Sequence, residues 1–202
     1  MFIRICAVLF LLLMPVQAFS QEDGFVADTP QTLDEQMSNA VEGDVGSQYN
    51  LGMKYARGDG VPQDYKAAAK WLEMAATQGD ADAQAALGVM HQKGQGVPED
   101  INLAALWYKR AAAQGDKLSQ FNLASIYATG RGSMKNEKEA FFWVSLAAVD
   151  NPQPPIIALR DLLQGKLSSA DVSEIQQRVS LWIPEQKPPE EMPEKLQYND
   201  GQ

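Results

Sequence analysis

Between residues 43 and 150, small and apolar residues recur three and four positions apart in six segments, each opened by Asp or Asn. Five of the six run into a glycine. That spacing is the period of a helix with one buried stripe. Asp44, Asp80 and Asp116 open the first helix of each pair as N-caps, and Gly58, Gly94 and Gly130 follow where a left-handed C-cap is expected. Asp64, Asp100 and Asn136 open the second helices. Between the helices, Gly-x-Gly-Val-Pro at 58–62 and 94–98 forbids helix and predicts a tight turn. Ser133-Met134 replaces Val-Pro in the third unit, which predicts a looser turn there.

The pairs are repeats. Residues 43–78, 79–114 and 115–150 superpose without a gap at a period of 36, and the first two agree at 16 of 36 positions. About two matches are expected by chance at average composition. The positions common to all three include Gln48/Gln84/Gln120, Leu51/Leu87/Leu123, Ala68/Ala104/Ala140 and Trp71/Trp107/Trp143. Ala68, Trp71 and Ala75 fall at i, i+3 and i+7, a stripe on which small residues admit a neighbouring helix and the ring fills the remaining gap. Leu51, Trp71, Leu87, Trp107, Leu123 and Trp143 are therefore the expected repeat core, in an all-α, right-handed solenoid spanning residues 32–183.

Its ends read as degenerate helices. Residues 30–42 form a helical stretch with Leu33, Met37 and Val41 on an expected sealing stripe. After the third unit, Pro152, Pro154 and Pro155 are expected to break the chain before a short helix from Ile156 to Gln164. Residues 167–182 predict a closing helix capped by Ser168 with Asp171, its stripe Val172, Ile175, Val179 and Trp182. The closing helices occupy 155–183, in all eight or nine helices.

Outside the repeats, residues 1–18 carry one basic residue (Arg4), an apolar run from Ile5 to Met14, Pro15, and Val-Gln-Ala at 16–18. This is the pattern of an export signal cleaved after Ala18, since ten apolar residues make a helix of about 15 Å, half a bilayer core. Residues 19–31 read as a linker. The chain is expected to be exported, periplasmic or secreted, and to keep no membrane anchor after cleavage. Residues 184–202, rich in Pro and Glu, read as a disordered tail.

The net charge of -9, from 17 basic and 26 acidic residues, disfavours a nucleic-acid partner. Catalytic residues are few. The one cysteine, Cys6, lies in the expected signal, and the one histidine, His91, occupies the repeat position held by Tyr55 and Tyr127 in the other units. That recurrence gives His91 a packing role, and no second His or retained Cys exists to complete a metal site. No S-x-x-K, G-x-S-x-G or G-x-x-x-x-G-K-[ST] occurs, so the expectation is no enzyme and no cofactor.

The unit pattern A-x-x-x-L-G-x-x-Y-x-x-G-x-G-V-P-x-D-x-x-x-A-x-x-W-x-x-x-A-A-x-x-G, carried mainly by residues 47–79, resembles the Sel-one-like repeat, a relative of the tetratricopeptide repeat. The resemblance implies an α-solenoid acting as a protein-protein interaction module, here an adaptor or regulator of an envelope process. Some secreted, cysteine-rich relatives are linked to penicillin binding or β-lactamase activity, which makes a cell-wall-active hydrolase the alternative. Those relatives carry a disulfide in each repeat, and this chain does not.

The first helix of each unit is expected to line the concave face. Positions 50, 53, 54 and 57 and their equivalents are free of the core pattern and vary: Asn50, Met53, Lys54 and Arg57; Ala86, Val89, Met90 and Lys93; Asn122, Ser125, Ile126 and Thr129. Variation on one face of a constant frame is what a selective groove requires. Asn50 and Asn122 share a repeat position similar to the Asn of peptide-binding tetratricopeptide repeats, which implies contact with a peptide backbone, with Lys54, Arg57 and Lys93 as carboxylate partners. Met53, Met90 and Ile126 are the expected apolar contacts.

Overall fold

The computed structural model describes residues 32–133, 135–149 and 153–182. The expected export signal, linker and acidic tail lie outside the described residues. Within them are nine α-helices and no strand: α1 (Leu33–Val41), α2 (Val45–Arg57), α3 (Tyr65–Thr77), α4 (Ala81–Lys93), α5 (Ile101–Ala113), α6 (Lys117–Thr129), α7 (Glu137–Ala147), α8 (Pro154–Gln164) and α9 (Ser169–Ser180). Each helix from α1 to α7 packs on the next in sequence, and α8 and α9 both pack on α7. This is the α-solenoid expected from the repeat.

Local chemistry sets the helix ends. Asp44, Asp80 and Asp116 each accept the backbone N–H three residues on, at 2.7 Å. Asp64 and Asp100 accept two backbone N–H groups apiece, and Asn136 accepts that of Glu139. Gly58, Gly94 and Gly130 close α2, α4 and α6 at φ of 74°, 64° and 73°, where a Cβ is strained. The third turn, a 3₁₀ turn over Arg131–Ser133, keeps a second left-handed glycine, Gly132 at φ 67°.

Helix α8 begins at Pro154, two residues before the expected start. Its prolines sit in the first turn, where no intrahelical N–H is needed, and so build the helix they were expected to delay. Helix α9 is capped by Ser168 and buries Ile175, as its stripe required. The amino-terminal expectation fails in part: Met37 and Val41 are 39% and 71% exposed, and α1 buries Ala40 instead. Residues four apart advance about 40° around a helix, so Val41 lies about 80° from Leu33 and leaves the seam.

Two apolar clusters fill the interior, one gathered between α3, α4 and α5 and the other running from α5 to α9. Leu51, Leu87, Leu123, Trp107 and Trp143 are buried as the repeat demanded. Trp71 is not: it is half-buried, because the element before it is the nine-residue α1 rather than a complete unit.

A polar ladder runs through this interior. The Nε2 groups of Gln48, Gln84 and Gln120 donate to the carbonyls of Ala40, Ala76 and Ala112 at 3.0–3.1 Å, tying each unit to the helix end before it. Gln78 and Gln114 then donate to the Oε1 atoms of Gln48 and Gln84 at 2.7 and 2.9 Å. The buried Oε1 of Gln120 has no partner among the described residues.

Candidate functional site

At about 100° per residue, Ser47, Gln48, Leu51 and Gly52 define the buried side of α2. The opposite side carries positions 46, 49, 53 and 57. Across the three units that open face presents Gly46, Tyr49, Met53 and Arg57; Asp82, Ala85, Val89 and Lys93; Leu118, Phe121, Ser125 and Thr129. Tyr49, Met53, Val89 and Phe121 are half-buried, packed below on the core clusters and open above. Leu118 is 61% exposed.

The expected binding residues divide on this geometry. Met53, Arg57 and Lys93 lie on the open face. Asn50 is exposed on its shoulder. Met90 and Ile126 were expected on the face and are core, 4% and 2% exposed, because position 54 of the repeat lies about 90° from the centre of the open side. Lys54 occupies that same position in the first unit, half-buried at the end of the solenoid. Asn122 is half-buried beside Tyr108, whose hydroxyl is pushed up by burial and drawn back in part by Asn122. Tyr49, Asp82, Leu118 and Phe121 were missed by the sequence reading, which started its stripe four residues too late.

The two edges of the face differ in charge. Asp80, Asp82 and Asp116 stand at the amino-terminal edge. Burial, then the charges of Asp80 and Asp116, push the Asp82 carboxyl up, and burial with Asp82 raises the Tyr49 hydroxyl. Arg57 and Lys93 end α2 and α4 at the other edge, in the last turn, where a cation suits the helix dipole.

His91 stays away from this face. Its backbone carbonyl accepts the N–H of Asp100 at 2.9 Å, as the carbonyls of Tyr55 and Tyr127 accept those of Asp64 and Asn136. Burial holds its imidazole below the usual range, against the opposing carbonyl of Pro98. Among the described residues, no group of three or more His, Cys, Asp or Glu side chains is placed to hold a metal, and no helix is long and apolar enough to cross a membrane.

Paired helices with recurrent seams and an unequal open face define a helical-repeat scaffold. The Sel1 repeat family model matches residues 45–80, 81–116 and 117–148, just over half of the chain, and the chain belongs to that family. Such repeats commonly mediate protein-protein interaction. Among solved structures, a Sel1 repeat protein from Oxalobacter formigenes is 39% identical with a TM-score of 0.58, covering 64% of this chain and 97% of that one. A second, c5321, a protective antigen present in uropathogenic Escherichia coli strains and displaying an SLR fold, is 23% identical with a TM-score of 0.55. There the match covers 74% of this chain but 40% of the antigen, and the likeness is one of fold. No curated protein matches.

Proposed function

We propose that this chain is an exported, non-enzymatic adaptor that holds a protein or peptide partner on the open face of α2, α4 and α6, in an envelope process. The observation that carries the reading is the contrast within each first helix. Its buried positions keep Gln48 and Leu51 in all three units, with Gly52 replaced only by the small Ala124 in the third, while its open positions differ in every unit and leave apolar surface half-covered. Asn50, Met53, Arg57, Lys93 and Asn122 remain candidate contacts on or beside that face, joined by Tyr49, Val89 and Phe121. The export reading rests on residues 1–18, and intact-mass analysis of the secreted form should give a chain beginning at Phe19.

Photo-crosslinking in the native host tests the binding reading. A photoreactive residue at 53 or 89 should yield one reproducible adduct, and one at 109, exposed on α5, should yield none. Equal labelling from all three positions would remove the face from the argument.

A further inference from the structure

Two arginines of this chain stack on aromatic rings, and they differ in what stands on the other side. Arg178 on α9 lies over the ring of Phe142, 4.4 Å from guanidinium carbon to centroid, and donates from Nη2 to a carboxylate oxygen of Glu139 at 3.2 Å. Arg110, in the last turn of α5, lies over Trp107 in the same way at 4.9 Å. No hydrogen bond or ion pair among the described residues includes it, and burial with no facing carboxylate lowers its pKa. Yet Arg110 is the deeper of the two, 8% exposed where Arg178 is open to water. Burying a cation without an anion is unfavourable, and a ring face returns only part of that cost.

Packing does not ask for an arginine here. The same repeat position holds Met74 in the first unit and Leu146 in the third, and Leu146 is 2% exposed, so an aliphatic chain fills the place. The charge is surplus to the fold. Trp107 Nε1, buried beneath it, also has no acceptor among the described residues, so neither donor of the stacked pair meets an oxygen of the protein. The guanidinium nitrogens, unlike that indole nitrogen, are not sealed from solvent.

We propose that Arg110, held flat on Trp107, is a docking point for a carboxylate of an acidic polypeptide, in the place that Glu139 takes against Arg178. The site lies on a second helix and goes beyond the open-face reading. A planar guanidinium presents paired N–H donors that match two carboxylate oxygens, and stacking removes rotational freedom that an unstacked arginine would lose on binding. Lys109, one residue back, points about 100° away around α5 and lies outside the site. The carboxylate has two sources: Glu185, Glu190, Glu191, Glu194 and Asp200 of this chain, or an acidic stretch of another protein.

The test follows the Nε–H signal of Arg110 by NMR on the full chain, assigned by its loss in Arg110→Lys, together with the indole signal of Trp107. The probe is a synthetic alternating Glu-Gly peptide, with a Gln-Gly peptide as the uncharged control. The probe should shift both signals to saturation and the control should shift neither. In Arg110→Met, which keeps an aliphatic chain at the position, the Trp107 signal should no longer respond. Replacing the five carboxylates after Pro184 by their amides separates the sources. If they are the occupant, this change alone should shift the Arg110 signal and let the probe bind more tightly. If another protein supplies the carboxylate, the signal should stay in place and both chains should answer the probe alike. An Arg110 signal unmoved by the probe in either chain, or moved as far by the control, would overturn the site, and that titration decides even if Arg110→Met unfolds.

Discussion

Unit one and unit two agree at 16 of 36 positions, yet only unit two has a complete repeat on either side. The same residue therefore meets different surroundings. Trp107 is 1% exposed within a cluster drawn from α3 and α4, while Trp71 is half-buried beside the short α1. Gly60 and Gly96 both adopt φ above 70°, but a Cβ at Gly60 meets nothing within 4 Å and one at Gly96 would lie 2.1 Å from the backbone oxygen of Tyr65. A repeated residue is thus a statement about its neighbour in the next unit, and its energetic value depends on whether that neighbour is present.

The widest separation should come from the tryptophans. Trp107→Ala should destabilise the protein by about 3–5 kcal/mol, the cost of removing a large ring from a closed core. Trp71→Ala should cost less than half as much, since part of its surface is already in water. Urea unfolding of the two variants decides, and equal losses would mean that Trp71 is covered as fully as Trp107.

Next come the turn glycines. Gly60→Ala should lose about 1–2 kcal/mol, the steric strain of a Cβ in left-handed backbone. Gly96→Ala carries that strain and also collides with the backbone of Tyr65, which cannot swing aside as a side chain can. Its loss should reach about 3 kcal/mol. Comparable thermal midpoints for the two alanine variants would break the contrast.

The frame was legible because it repeats. Period, caps and turn glycines are written three times, so Asp44, Gly58 and Leu51 could each be checked against two others before any coordinates. Departures from the repeat were harder to read. The Gln48/Gln84/Gln120 series was visible as identity, but its bonds to Ala40, Ala76 and Ala112 depend on where each preceding helix ends in space. Met90 and Ile126 differ from Lys54 and so looked like variable surface. They are variable core, since methionine and isoleucine fill one interior position and lysine replaces them only at the end of the stack. Asn122 was expected on the face and is half-buried beside Tyr108, fourteen residues earlier on another helix, a neighbour that no helical spacing predicts.

The glutamine ladder offers a finer contrast. Gln114→Ala should cost about 1–3 kcal/mol, because it strips the donor from the buried Oε1 of Gln84 and also the bond to the carbonyl of Gly79. Gln78→Ala makes the same cut one unit earlier, where the side chain is exposed and water can reach it, so its cost should be the smaller. Hydrogen exchange at the ends of α3 and α5 would report the two losses separately.

The smallest effects should fall on the open face. Lys93 and Arg57 are exposed in the last turns of α4 and α2 and have no described ion-pair partner, so their charge acts on the fold mainly through the helix ends. Lys93→Ala and Arg57→Ala should each change unfolding free energy by less than about 0.5 kcal/mol. Their consequence should appear in binding instead: both variants should weaken capture of an acidic open-face ligand, and the difference from wild type should shrink as salt is raised, because exposed charges are screened over about 8–10 Å at physiological ionic strength. A stability loss near that of Gln114→Ala would mean that these cations hold the fold together, and the open face would then be a structural surface rather than a receptive one.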